Sequence, residues 1–421
     1  MRTPDARAKS DRSSRLAHDR VARGRHKQET LLRALARRLR VDGQLPVLRK
    51  RPVKDEKPDP GSVRSIVVWL LAPLGDTLFA LPAVRALRRA FPHTRITGVC
   101  WASNRPLLET NPDLDDLVVC SNSADLPRVF AILQGQAVDL SIGLSNVGSY
   151  LCALHSGTRR VGFHAEGLGW LWDFSFTENL EGHAIDYCLA VVESLGVDIR
   201  GIDRRPQVFL TPEDREWADN WLLQHGWQPG QLLVAVHPGG SHFAAKRWPL
   251  PRFAELITRL HADPNRQVVI VGGQDDRRLA EVILQHLTGV RQPWVAAGEA
   301  RLRQTAALFA RCQVMVGNDS GPVHLAAAMQ TPAVALFGPT SPANFSPYGS
   351  EHQVLWKGEL LSCSPCFRFL GGIQQYWPRQ LRPGCRRECM QLITVHEVLL
   401  AIERALAARV SAGAVQEHEY S

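Results

Sequence analysis

Asp319 and His324 stand five positions apart in the stretch Val314–Gly338, on either side of Ser320-Gly321-Pro322. The apolar, β-prone Val314–Val316 is broken by Gly317-Asn318-Asp319. Ser320 suits an N-cap, Pro322 suits a first helical turn, and Val323–Met329 continues as helix before a second apolar strand. A turn of this kind leaves backbone N–H groups unpaired at the helix start, which makes an anion site at Ser320 and Gly321. An ordinary βαβ crossover has the same pattern, so this segment alone decides nothing.

Three other turns hold comparable groups. Pro73-Leu74-Gly75-Asp76-Thr77-Leu78 follows an apolar run and opens a helix. Asp76 there reads either as a cap, stabilising by about 1 kcal/mol, or as a general base facing a cleft. The turn has no GxGxxG, which speaks against a dinucleotide-dependent oxidoreductase. His237-Pro238-Gly239-Gly240-Ser241 follows a later strand, and Lys246-Arg247-Trp248-Pro249 closes its loop. Gly239 and Gly240 let the backbone approach a phosphate, and Ser241 and Lys246 offer side-chain donors, though no Walker A pattern is present. Val268–Gly273 ends in two glycines, and Gln274 and Asp275 follow where a nucleotide base or ribose could be met. Capping of a helix over Asp276–Leu287 is the alternative use of those carboxylates.

The chain has nine cysteines. Cys100, Cys120, Cys152, Cys188 and Cys312 lie in apolar or helical contexts and read as core residues. Cys363-x2-Cys366 and Cys385-x3-Cys389 form a pair of pairs. In a reducing compartment that spacing suits a structural zinc site better than disulfides, with a plain thiol cluster or a redox pair as alternatives.

The elements that must carry these turns form two βα series. Strands are expected at Ile66–Leu71, Ile96–Cys100, Leu117–Cys120, Asp139–Ile142 and Arg160–Phe163, with helices at Leu78–Ala90 and Tyr187–Leu195. After an extended link, Arg204–Thr211, a helix over Pro212–His225 leads to strands at Leu232–His237, Gln267–Val271, Trp294–Ala296, Gln313–Val316 and Ala333–Phe337. The pattern is α/β and implies two doubly wound domains, 61–210 and 211–405, with a cleft between them and a short tail over 406–421.

Residues 1–60 hold 18 Lys/Arg against 8 Asp/Glu, leaving 32 against 33 for the rest. The formal charge of +9 therefore belongs to the tail, and a neutral body argues against nucleic acid as a partner. Within the tail, residues 28–41 place Leu31, Leu32, Leu35 and Leu39 on one helical face with arginines around it. Such a helix can lie on an anionic membrane or pack on the body. No apolar run is long enough to span a bilayer and the first residues lack a signal-like apolar core, so a cytoplasmic protein is expected.

Taken in order, GDTLFALPAVRALRRAFP (75–92), NPDLDDLV (111–118), RRVGF (159–163), HPGGSHFAAKRWP (237–249), GNDSGPVHLAAA (317–328), LFGPTSP (336–342) and CSPC…CRRECM (363–390) resemble glycosyltransferase family 9, the ADP-heptose:lipopolysaccharide heptosyltransferases. The resemblance covers about residues 65–405. It implies a GT-B fold of two Rossmann-like domains, with a lipid-linked acceptor on the first and a nucleotide-diphosphate sugar on the second. It further implies inverting transfer without a required metal, Asp76 as general base, and Lys246 and Ser241 as phosphate contacts. Asp319, Ser320, Gly321 and His324 match the diphosphate-binding helix start, and Gln274 or Asp275 occupies the nucleoside side. The implied partners are ADP-heptose and a lipid A-core acceptor; the excess positive charge of the tail, outside the resemblance, separately suggests attachment to the anionic inner-membrane surface. Transfer of a different sugar, or a binding module without catalysis, are the rival readings.

Overall fold

The computed structural model describes residues 57–155, 158–164, 174–177, 182–240, 244–366, 369–370, 373–374 and 385–419. The basic tail with its expected helix over 28–41, Ser241, and most of the segment between the two cysteine pairs lie outside the described residues.

The first βα series runs β1 (Ser65–Leu70), α1 (Leu74–Ala90), β2 (Arg95–Trp101), α2 (Arg105–Leu108), β3 (Asp116–Cys120), α3 (Leu126–Gln134), β4 (Leu140–Gly143), α4 (Asn146–Leu154), β5 (Arg159–His164), β6 (Phe174–Thr177) and α5 (Ala184–Glu193). Its strands form one parallel sheet in the order β3-β2-β1-β4-β5-β6. After a link without helix or strand, the second series runs α6 (Pro212–Gln224), β7 (Leu232–His237), α7 (Leu250–Leu260), β8 (Arg266–Ile270), α8 (Gln274–Gln285), β9 (Trp294–Val295), α9 (Leu302–Arg311), β10 (Val314–Asn318), α10 (Gly321–Ala328), β11 (Ala333–Phe337), α11 (Pro342–Phe345) and β12 (Gln353–Trp356). A short antiparallel pair, β13 (Phe369–Leu370) and β14 (Ile373–Gln374), precedes α12 (Glu388–Gln391) and α13 (Val395–Glu419). The second sheet, β12-β11-β10-β7-β8-β9, repeats the connectivity of the first. Each is a doubly wound sheet whose strand order reverses at one switch point, between β1 and β4 or between β7 and β10.

The strands are apolar on both faces because helices cover both sides. Ile66 to Leu70 and Leu233 to Val236 are fully buried. The helices carry apolar residues on one face only: in α7, Phe253, Leu256, Ile257 and Leu260 are buried, while Glu255 and Arg259 pair in solvent.

Three features depart from the expected pattern. Helix α1 begins at Leu74, a full turn before Leu78. Its first turn contains Gly75, Asp76 and Thr77, poor helix formers whose conformation is set by the tertiary contacts described below. Strands β6 and β12 are four-residue strands at sheet edges, too short and mixed to stand out by apolar pattern. Helix α13 continues to Glu419 with no break at the expected 405/406 boundary. No described helix is long and apolar enough to cross a membrane.

The two halves touch through specific contacts. His183 Nε2 donates to the Ser346 carbonyl at 2.8 Å, and Asn344 Nδ2 donates to the Gly182 carbonyl at 2.8 Å. Arg303 pairs with Glu109 across the halves and with Asp214 on α6, both at 2.9 Å. Phe79 on α1 packs against His324 on α10, ring centroids 4.6 Å apart, and against Phe345.

Candidate active site

The starts of α1 and α10 meet head to head across the cleft. A Cβ on Gly321 would lie 2.8 Å from the Leu74 side chain, and one on Gly75 would lie 3.0 Å from His324 Cδ2. Glycine on both sides permits this approach, and it brings the switch points of the two sheets together. Asp76 belongs to the first turn of α1, two residues past its start, and caps nothing: the helix N-cap is Pro73, without a side-chain hydrogen bond. The capping alternative therefore does not hold, and the half-buried carboxylate is left to face the second domain. Asn104 fixes the turn that carries it, donating to the Ala72 carbonyl and the Thr77 hydroxyl, each at 2.8 Å. Burial pushes the Asp76 carboxyl up to about 6, against the opposing pull of Lys246 and His324 and with some help from Asp319.

Opposite Asp76 lies a buried ion pair. Lys246 Nζ donates to Asp319 Oδ2 at 2.7 Å, and the Thr340 hydroxyl donates to the same oxygen at 2.5 Å. His324 Nε2 stands 3.7 Å from Asp319 Oδ1. Burial alone would raise the Asp319 pKa, but Lys246 and His324 overcome it and hold this carboxyl well below the usual range. Asp319 thus holds Lys246 at one oxygen and faces His324 at the other. On the other side of the ring, His324 Nδ1 is buried and has no hydrogen-bond partner among the described residues.

Asn318, fully buried, locks the two loops around this pair. Its Oδ1 accepts the Trp248 amide at 2.9 Å, and its Nδ2 donates to the Pro238 and Gly239 carbonyls at 3.0 and 2.7 Å. Trp248, two residues after Lys246, is pinned in turn by its indole N–H on the Ile393 carbonyl at 2.9 Å. Gly239, Gly240, Lys246, Asp319, Ser320, Gly321 and His324 are thus gathered at the carboxyl ends of β7 and β10. Ser241 lies outside the described residues. Gln274 and Asp275 sit exposed at the start of α8, with Gln274 Oε1 close to Gly298 on the neighbouring loop. The capping carboxylate there is Asp276, whose Oδ2 accepts the Gly273 amide at 2.9 Å.

One wall of the cleft thus carries the Asp76 carboxylate of raised pKa, and the other carries Lys246 held by Asp319 and the start of α10. The model of glycosyltransferase family 9 (heptosyltransferase) matches residues 156–376. Lipopolysaccharide heptosyltransferase 2 of Salmonella typhimurium is 42% identical over 302 residues, covering 67% of this chain and 85% of that relative. The chain belongs to glycosyltransferase family 9. The E. coli K12 lipopolysaccharide heptosyltransferase 2 is 28% identical over 300 residues. Among solved structures, a family 9 glycosyl transferase from Veillonella parvula superposes with a TM-score of 0.67 at 25% identity, covering 82% of this chain and 97% of that one. The E. coli ADP-heptose lps heptosyltransferase II gives 0.64 at 22% identity, which speaks to the fold. The two facing sheets are those of a GT-B glycosyltransferase, and this family 9 chain is a glycosyl-transferring enzyme.

In this family 9 member the remaining cysteines divide as expected: Cys100, Cys120, Cys152, Cys188 and Cys312 are buried. The zinc expectation fares differently. Cys389 is buried, and its thiol is pushed up to about 11, first by burial and then by Cys366, with Cys385 and Cys363 adding. The four sulfurs are therefore neighbours. Among the described residues, however, no three Cys, His, Asp or Glu side chains are arranged to hold a metal ion. Cys389 turns inward against Gly338 while Cys363 and Cys385 face solvent. The structure gives no support to zinc at this cluster.

Four contributors escaped the sequence reading: Asn104, Asn318, Thr340 and Trp248. Thr340 carried the best signal, lying in GPTSP directly after an apolar strand, where strand-end residues face the cleft.

The raised pKa of Asp76 makes a stability prediction. Its folded value of about 6 exceeds the reference of 3.8, so the folded state bears a growing cost as pH rises between these values and the full cost above about 6. Asp76→Asn removes that cost and is expected to stabilise the enzyme by roughly 1–3 kcal/mol at pH 7.5, with the gain fading near pH 4. Denaturant unfolding of both proteins at the two pH values checks this. An equal effect at both, or none at pH 7.5, would contradict it.

Proposed function

We propose that this enzyme transfers heptose from ADP-heptose to a lipid A-linked acceptor of the lipopolysaccharide inner core, inverting the anomeric carbon without a required metal. The observation that carries the reading is the uncapped Asp76, its carboxyl raised to about 6, facing Lys246 and the start of α10. The family membership supports the glycosyl transfer. The names of the relatives support the donor and acceptor.

The chemistry follows as one displacement. The acceptor hydroxyl oxygen forms a bond to the anomeric carbon as the bond from that carbon to the diphosphate oxygen breaks. Asp76 takes the hydroxyl proton, and the nucleoside diphosphate leaves with the bond's electron pair. A base with a pKa near 6 is ionised at neutral pH yet basic enough to assist, a contribution of roughly 10²–10⁴-fold. Charge growing on the leaving diphosphate is met by Lys246 and by the amides at the α10 start, fixed in place before reaction. Approach of the two domains around the donor excludes water that would hydrolyse it. The nucleoside would lie over β8 and β9, near Gln274 and Asp275.

The enzyme would work at the cytoplasmic face of the inner membrane, held to anionic lipid by the tail of residues 1–60. Flotation with anionic vesicles at low salt tests the tail. The full chain is expected to float and a chain lacking residues 1–60 to stay behind; equal flotation would remove the tail from the account.

The decisive assay incubates the purified enzyme with ADP-heptose or UDP-sugars and a lipid A-core acceptor, following diphosphate release and product mass. ADP release with a heptose mass increment is expected, lowered by a factor of roughly 10²–10⁴ in Asp76→Asn. Turnover with another sugar alone would overturn the donor. Undiminished turnover by Asp76→Asn would overturn the base.

A further inference from the structure

Ser320 is the N-cap residue of α10, yet its hydroxyl makes no capping hydrogen bond. A serine in this position ordinarily accepts a hydrogen bond from an amide of the first helical turn. Here Oγ lies 2.9 Å from the Asn318 carbonyl and 3.1 Å from His237 Nδ1, both away from the helix. His237 ends β7 and is 2% exposed. Its Nε2 faces Asp276 Oδ2 at 3.4 Å, and Asp276 is itself tied to the Gly273 amide. With the imidazole proton on Nε2 toward Asp276, Nδ1 is an acceptor. The single Ser320 proton then has two acceptors, and both draw the hydroxyl off its own helix. One turn into the same helix, His324 is 4% exposed, and its buried Nδ1 has no hydrogen-bond partner among the described residues. The α10 start thus lacks its side-chain cap and keeps a buried, unused ring nitrogen beside it.

We propose that His237, backed by Asp276, is a positioning residue that keeps Ser320 from capping α10 and so holds the helix start open for the diphosphate of the ligand. The proposal rests on the reading that a nucleoside diphosphate binds there. Without the imidazole, Ser320 turns onto the helix amides, and the ligand's phosphate must displace it. His237 acts through Ser320 rather than by touching the ligand, so its effect exists only while Ser320 carries a hydroxyl.

The test is calorimetric titration of the full chain with ADP, UDP and inorganic pyrophosphate. The proteins are wild type, His237→Leu, His237→Asn, Ser320→Ala and His237→Leu/Ser320→Ala. His237→Leu is expected to weaken ADP binding about tenfold, the size of a lost helix cap expressed as affinity. His237→Asn, which keeps a polar atom near the Nδ1 position, should retain most of the affinity. In the Ser320→Ala background, His237→Leu should change nothing. Equal weakening with and without the hydroxyl, or no weakening with it, overturns the proposal. Should His237→Leu fail to fold, Asp276→Ala takes its place, with the same sign expected only when Ser320 is present. Wild type that binds UDP or pyrophosphate but not ADP overturns the donor instead, and the comparison is then read with the bound ligand. Wild type that binds none of the three overturns both.

Discussion

Lys246 and Asp319 form an ion pair at the floor of the cleft, 2.7 Å apart and largely shielded from water, and the charge states around them follow from it. A buried pair of this kind returns its desolvation cost only when its remaining hydrogen-bonding capacity is filled. On the Asp319 side Thr340 supplies a hydrogen bond, and His324 stands 3.7 Å from the other oxygen. On the Lys246 side the opposite wall supplies Asp76, whose carboxyl is raised by burial while the lysine moderates the shift. One carboxylate is thus kept ionised and fixed, the other close to neutral pH in its affinity for a proton. Their surroundings push the two pKa values apart, so only Asp76 can exchange a proton near neutral pH.

Geometry makes that division possible. Each sheet is doubly wound, so each has one switch point at which loops diverge and leave room for a ligand. Packing α1 against α10 through Gly75 and Gly321 aligns the two switch points. The Asn318 clamp on Pro238, Gly239 and Trp248 then holds the loops after β7 and β10 together. The cross-domain contacts combine the polar bonds of His183, Asn344 and Arg303 with the packing of Phe79 on His324 and Phe345.

Much of this was legible in the chain, and the misses have physical causes. Leu232–His237 and Ala333–Phe337 were bounded correctly because they are uninterrupted apolar runs closed by a polar or glycine residue. The start of α1 was placed a turn late because Gly75 and Asp76 look like a loop, and that error left the capping alternative open for Asp76. Lys246 and Asp319 were each marked as site residues, but 73 positions separate them, and no local pattern reveals that they pair. Ser320 was placed at the right cap position with the wrong use of its hydroxyl, since His237 reaches it from another strand. The cysteine spacing leaves a metal, a thiol cluster or a redox pair open, and among the described residues no group is arranged to hold a metal ion.

Proton abstraction by Asp76 requires a carboxyl of raised pKa in the folded enzyme. A carbon-13 NMR titration of aspartate-labelled protein, with Asp76→Asn used to identify the resonance, measures this directly. A midpoint near 6 for Asp76 is the predicted result. A midpoint at or below about 4, the value of an ordinary aspartate, would mean that the cleft does not tune this group. Asp76 would then lose the property that marks it as the base.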